Sequence, residues 1–277
     1  MKDGLYDVIV KALTVWNEKV AEVWALLTTS PQAFKGGGVW NVIVGINTAM
    51  QGVGYGLLVL FFIYGFLYST TSIEEIRRPE HAWRFFLRFA IAKGIVTYGM
   101  DILMSILAIA QGILSEILNH AGAGAFTEIS LPDGIAEAIQ EVGFMQALPL
   151  WAVAWIGCVL ATVLGFVLIL TVYGRFFKFY MFTALSPIPM STFAAERTEN
   201  IGKQFLKGFA AVCMEFACVA LACVISSALM VEPTVINAEE AAVSQLWGYF
   251  TEISFNMLLL VGTVKACEKI AHEIMGL

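Results

Sequence analysis

Charge is what this chain has least of. Asp, Glu, Lys and Arg together supply 14% of its 277 residues, against 59% hydrophobic ones. A water-soluble protein of that length could not hide so much apolar side chain in its interior, so a bilayer must take it. Histidine is scarce too. His81, His120 and His272 are scattered, and no HExxH or GxSxG pattern and no Walker-type glycine loop occurs. That removes the usual sequence support for a metalloprotease, a serine hydrolase or a nucleotide-binding enzyme. The run Gly52-Val-Gly-Tyr-Gly lacks a following Lys-Ser/Thr and sits inside an apolar stretch. Cysteine offers neither a disulfide framework nor a zinc site. The five residues Cys158, Cys213, Cys218, Cys223 and Cys267 are odd in number and show no CxxC spacing, and they read as small buried apolar residues. Asp3 and Asp7 interrupt the start of the chain, so no cleavable signal peptide is expected.

The basic residues that are present fall on alternate gaps between apolar stretches. The gap at 70–94 holds Arg77, Arg78, Arg84, Arg88 and Lys93, and the gap at 174–208 holds Arg175, Lys178, Arg197, Lys203 and Lys207. The gaps at 119–149 and 232–246 hold no Lys or Arg, and acids such as Glu128, Asp133, Glu232, Glu239 and Glu240 dominate them. This asymmetry is the positive-inside pattern of a multi-pass membrane protein. It predicts an all-α fold with five transmembrane helices near 39–67, 95–118, 150–173, 209–231 and 247–264. It places the N-terminus outside and the C-terminus in the cytoplasm. Each stretch is close to the roughly 20 residues a helix needs to cross the hydrocarbon. Trp40, Trp151 and Trp247 at the predicted outer ends, with Trp83 near an inner one, fit an aromatic belt. The Arg77, Arg78, Arg84 and Arg88 patch reads as a topological determinant beside anionic lipid.

Two segments stand apart from the five spans. Residues 1–38 form one predicted unit, an amphipathic helix and a Gly-rich hinge, ahead of a membrane domain over 39–277. Asp3, Asp7, Lys11, Thr14, Glu18 and Glu22 recur at one polar face, and Val8, Ile9, Leu13, Trp16, Val20 and Trp24 lie away from it. Such a helix lies in the interface plane or docks on neighbouring protein. Ser30-Pro31 and Gly36-Gly37-Gly38 then predict a flexible hinge. The second segment is the apolar stretch Phe179–Ala195, broken by Pro187 and Pro189. It reads as re-entrant or interfacial, which is tolerated where the backbone is buried in protein or lines a watery cavity.

Polar and small residues form stripes within the spans. Asp101, Ser105, Ala108, Gly112, Ser115 and Asn119 share one face of the second, and Asn41, Gly45, Thr48, Gly52 and Gly56 one face of the first. Gly157, Ala161 and Gly165 do so in the third, and Gly208, Ala211, Glu215, Ala222 and Ser226 in the fourth. The glycines Gly45, Gly52, Gly56, Gly112, Gly157 and Gly165 are candidates for close helix packing. Asp101 and Glu215 carry more weight, because a lone charge inside a span costs at least about 2.5–3.5 kcal/mol on insertion scales. Lys93, Asp101, Ser105, Glu215 and Ser226 are therefore candidates for lining a channel or an internal polar path. Lys93 lies two turns before Asp101 and is a candidate partner for it.

The inner gap carries a resemblance. It reads Gly174-Arg175-Phe176-Phe177-Lys178, then Ala184-Leu185-Ser186-Pro187-Ile188-Pro189, then Ile201-Gly202-Lys203-Gln204-Phe205-Leu206-Lys207. With the amphipathic start and the five-span arrangement, the chain resembles the TrbL-type polytopic channel component of conjugative type IV secretion systems. The form it is most like is the one carried by integrative and conjugative elements of Gram-positive bacteria. The similarity runs from about residue 1 to 270. It implies a non-enzymatic subunit in the plasma membrane without cofactors, forming a ring-shaped homo-oligomer among membrane lipid. It also implies work beside cytoplasmic ATPases and a coupling protein, and transit of single-stranded DNA with its relaxase or of protein substrates. Arg175, Lys178, Pro187, Pro189, Arg197, Lys203 and Lys207 then become candidates for an inner docking surface. The competing expectation is a small-solute secondary transporter using Asp101 and Glu215 as coupling carboxylates.

Overall fold

The computed structural model describes residues 2–69, 79–121, 128–141, 143–230 and 242–277. Arg77 and Arg78, and the acids Glu232, Glu239 and Glu240 of the outer gap, lie outside them. The described elements are helical. They are α1 (Lys2–Thr28), α2 (Gly38–Ser69), α3 (Pro79–Thr97), α4 (Gly99–Ala121), α5 (Asp133–Glu141), α6 (Phe144–Leu185), α7 (Pro187–Met190), α8 (Glu199–Met230) and α9 (Ala242–Ile274), with short 3-10 turns at Phe34–Gly37 and Ser191–Ala194. Five helical stretches are long and apolar enough to cross a membrane: Phe34–Tyr68, Gly99–Ala121, Leu148–Leu185, Glu199–Leu229 and Val243–Ile274. The chain is an all-α multi-pass membrane protein, as its long apolar stretches predict.

The helix ends differ from the expected ones in two places. The basic gap before the second span is itself helical, as α3, and the span begins only at Gly99, after a break at Tyr98. The third apolar helix does not stop near Tyr173 but runs on to Leu185. At 1.5 Å per residue its 42 residues reach about 63 Å, twice the roughly 30 Å of bilayer hydrocarbon. The chain past Gly174 is thus a helical extension, and only Ser186–Ala195 is broken.

The fold divides into two compact units, the first made of residues 1–28, 115–174 and 218–267. Here α1 buries Leu5, Ile9, Leu13, Trp16, Val20, Val23 and Leu27, a spacing of three and four that marks one helical face. Asp7, Lys11, Thr14, Glu18 and Glu22 stay exposed on the other. The amphipathic reading of α1 therefore holds. Asn17 grips the stretch before α5 through both backbone polar groups of one residue. Its Nδ2 donates to the Ile129 carbonyl at 3.0 Å, and its Oδ1 accepts from the Ile129 N–H at 3.1 Å. Gly165 on α6 leaves room for the Lys19 stem, since a Cβ there would meet Lys19 Cγ at 3.0 Å. The Lys19 ammonium lies 5.5 Å over the Phe166 ring.

The second unit holds residues 29–114, 175–217 and 268–277. The expected hinge is anchored rather than loose. Lys35, Gly36 and Gly37 take left-handed φ values of 49°, 73° and 76°, which only glycine adopts without cost. Beside them Phe34 stacks on Phe176 at 4.4 Å, and the Pro31 carbonyl accepts a 2.7 Å bond from the Tyr180 hydroxyl.

The Pro-broken segment is packed in this unit against α2 and α3. Pro187, Met190, Ser191, Thr192, Ala194 and Ala195 are buried. Its carbonyls find partners, as a buried backbone must. Ser191 Oγ donates to Ile188 O and Thr192 Oγ1 to Pro189 O, each at 2.6 Å, while Thr198 Oγ1 donates to Thr192 O at 2.7 Å. Asn47, 3% exposed on α2, donates to the Thr183 carbonyl at 2.7 Å and the Ser186 hydroxyl at 2.9 Å, and so closes the end of α6. Glycine makes the approach possible: a Cβ on Gly54 would sit 2.8 Å from Pro187 O, and one on Gly65 2.9 Å from the Ala195 Cβ.

Candidate functional site

Glu215 is not a lone charge. It is fully buried on α8, where its Oε2 lies 3.2 Å from Nε of Arg175 on the extension of α6. Arg175 is 2% exposed. Lys178, three residues on and so on the same helical face, stands 3.9 Å from Glu215 Oε1 and 2.5 Å from Glu268 Oε1. Two cations and two carboxylates thus join α6, α8 and the end of α9 within the second unit. Phe176 packs edge-on to Phe216 at 5.1 Å beside the pair. Low dielectric strengthens such a pair and makes it costly to break, because the survivor is left buried and uncompensated. Arg175, expected on a docking surface, is instead an internal partner of Glu215. The sequence held the signal: a carboxylate inside an apolar helix needs a cation, and Arg175 with Lys178 offers two on one face.

A second ion cluster lies beside the broken segment. Arg88 on α3 pairs with Glu199 at the start of α8 and lies 3.6 Å from Glu196, while its Nε donates to the Phe193 carbonyl at 3.2 Å. Lys203 pairs with the same Glu199. The Arg197 guanidinium lies 3.4 Å over the Tyr68 ring. Of the other inner-loop residues, Pro187 is buried, Pro189 half-buried, and Lys207 exposed. Four of the cations expected to point to other proteins therefore bind their own chain: Arg175, Lys178, Arg197 and Lys203.

The polar stripe from the end of α3 through α4 is arranged in the opposite way. Lys93, Thr97, Asp101, Ser105, Ala108, Gly112, Ser115 and Asn119 follow one another at steps of three or four, and all are exposed. No ion pair joins Lys93 to Asp101. The stripe of α2 is exposed as well, at Asn41, Gly45, Thr48, Gly52 and Gly56. Helix α2 meets the end of α3 at Thr97, whose Oγ1 lies 3.0 Å from the Tyr55 hydroxyl and whose carbonyl accepts from Gln51 at 3.4 Å. The stripe of α8 is mostly buried: Gly208, Ala211, Glu215 and Ser226 are covered. A Cβ at Gly45, Gly52, Gly56, Gly112 or Gly157 would meet nothing within 4 Å, whereas Gly54, Gly65, Gly99, Gly165 and Gly202 are closely approached. Asp101 and Glu215, the two carboxylates a transporter would couple, are not brought together. No cluster of three or more His, Cys, Asp or Glu side chains fit to hold a metal exists among the described residues.

Among the described residues, the chain thus carries an exposed polar track on an apolar helix and a fully buried charge pair. The model of a family described as TrbL/VirB6 plasmid conjugal transfer like protein matches residues 16–187, more than half of the chain. The chain belongs to this family. As a TrbL/VirB6 member it is a membrane component of conjugal transfer and type IV secretion, associated with other subunits of that system. No curated protein and no solved structure matches it. The TrbL/VirB6 match begins within α1 and ends at the Pro187 break. It takes in the exposed stripes of α2 and α4 and the Arg175 end of α6. It leaves out Glu215 and the basic stretch from Arg197 to Lys207, to which the sequence resemblance extends.

Proposed function

We propose that this protein is a non-enzymatic channel subunit of a conjugative secretion system, assembled as a ring with the α4 stripe turned toward a watery centre. The carrying observation is the exposure of Asp101 and Ser105 on a helix of spanning length. Facing lipid from the first turn of α4, Asp101 would incur part of the helix-centre cost of about 2.5–3.5 kcal/mol, and intramembrane carboxylates almost always face a bundle interior or a water-filled cavity. The described residues provide neither for Asp101, and in this reading further copies do. Closed rotational symmetry is the usual form of such self-assembly, and it would gather one copy of the stripe from each subunit around the axis.

In this reading the basic gaps face the cytoplasm and α1 lies outside. The system's ATPases and coupling protein would work from the side of Lys203 and Lys207. Single-stranded DNA with its relaxase, or protein substrates, would pass along the axis. Cysteine accessibility tests the central point. In a background with the native cysteines replaced, Ser105→Cys in assembled protein should react with a charged, membrane-impermeant thiol reagent. Leu170→Cys, on a side chain 68% exposed in an apolar span, should not. Equal protection of both positions would count against a water-lined stripe.

A further inference from the structure

We infer that the first unit holds one acyl chain of a membrane lipid in a slot between α1, α6 and α9, with the lipid's ester carbonyl accepting a hydrogen bond from the Tyr249 hydroxyl. The slot encloses about 370 Å³ of empty space including its open mouth, of which about 30 Å³ is wide enough for the centre of a water. It is therefore a narrow channel for a single unbranched chain rather than a chamber for a folded ligand. Small residues on α6 make it: Ala154, Gly157 and Ala161 form its floor, and a Cβ at Gly157 would meet nothing within 4 Å. The same stripe is closed one turn further on, where the Lys19 stem lies against Gly165. Ile9 and Leu13 of α1 form one wall and Met257 of α9 another.

Tyr249 supplies the observation that points to a ligand. Its side chain lines the slot and is 5% exposed, yet its hydroxyl finds no hydrogen-bond partner among the described residues. Buried phenols normally find one. The position suits an ester carbonyl. Tyr249 is two residues from Trp247, at the end of its span, where tyrosine and tryptophan rings sit at headgroup level. From there to Met257 the slot follows α9 for about 12 Å at 1.5 Å per residue, toward the middle of the span. The lining carries no charged side chain, which excludes a headgroup from the slot itself. A lone water is a poorer occupant, since it needs two to four polar partners and most of the wall is apolar.

The test uses the full chain in nanodiscs of phosphatidylcholine doped with phosphatidylcholine that carries a diazirine on one acyl chain. After photolysis, the segment 249–257 should be labelled severalfold more than the segment around Leu170, an exposed position on α6. Gly157→Leu, whose side chain fills the slot without a backbone clash, should remove that excess and leave labelling around Leu170 unchanged. Tyr249→Phe keeps the ring and deletes only the donor. It should abolish a preference for the ester-linked probe over its ether-linked analogue, which lacks the carbonyl. Labelling of 249–257 no greater than around Leu170, or insensitive to Gly157→Leu, would overturn the site. An ester preference that survives in Tyr249→Phe, or is absent from the unaltered protein, would overturn the role of the hydroxyl.

Discussion

Asp101 and Glu215 interrupt the apolar runs of this chain, and the fold treats them in opposite ways. Glu215 is sealed inside the second unit against Arg175 and Lys178. Asp101 is left exposed with no ion pair among the described residues, at the head of a polar stripe that continues through Ser105 to Asn119. The insertion cost is larger at Glu215, midway along α8, than at Asp101, in the first turn of α4. One is met by the chain itself, and the other is deferred to whatever surrounds the chain. The same contrast runs through the glycines. Gly54 and Gly65 are consumed by the chain's own broken segment, whereas Gly45, Gly52 and Gly56 face outward. An intramembrane polar residue thus has two meanings, internal scaffold or open surface, and burial separates them.

The largest expected effect comes from breaking the internal side of this comparison. Glu215→Ala leaves Arg175 buried without its carboxylate, at a cost of about 3–5 kcal/mol. It should appear as a collapse in the yield of monodisperse protein and in thermal stability in detergent. Replacing both partners, as Arg175→Met with Glu215→Leu, should restore most of that loss. A single variant as stable as the unaltered protein would show that the pair does not hold the unit.

Glycine substitutions sharpen the contrast at lower amplitude. Gly54→Ala forces a Cβ to within 2.8 Å of the Pro187 carbonyl oxygen, a strain of about 1–3 kcal/mol. Gly52→Ala, two residues away, meets nothing and should shift stability by no more than about 0.5 kcal/mol. Thermal melting of the two variants side by side distinguishes them. Equal losses would mean that the two faces of α2 are not different environments.

The smallest effect on stability and the largest on function is expected at Asp101. Asp101→Asn removes an exposed charge and should leave the melting temperature of the isolated chain within the range set by about 0.5 kcal/mol. Conjugal transfer in cells should nevertheless fall sharply. A variant that melts early, or transfers normally, would place Asp101 with the scaffold or with neither role.

Much of this arrangement is legible in the sequence. Apolar length located the five spans, because hydrocarbon thickness sets it, and three-four periodicity located the buried face of α1 through Ile9, Leu13, Trp16 and Val20. Elements whose apolar signal is diluted by charge were less visible. Arg84 and Arg88 placed α3 in a basic gap between spans, though Phe85, Phe89 and Ala92 recur at helical steps on it. Gly174 and Arg175 looked like the end of a span because nothing local reveals that Arg175 is neutralised by a residue 40 positions away. Which glycines are closely approached depends on the partner. Spacing alone picked out Gly52 and Gly56, while the fold uses Gly54 and Gly65. The Tyr249 slot left no mark in the sequence, since it is a space between three helices.

Single-particle imaging of the protein in lipid nanodiscs tests the central claim most directly. The account predicts a closed ring of several copies in which Asp101 and Ser105 of every subunit point to the axis and Glu215 stays paired with Arg175 inside each one. A monomer, or a ring whose α4 stripes face the lipid, would contradict it.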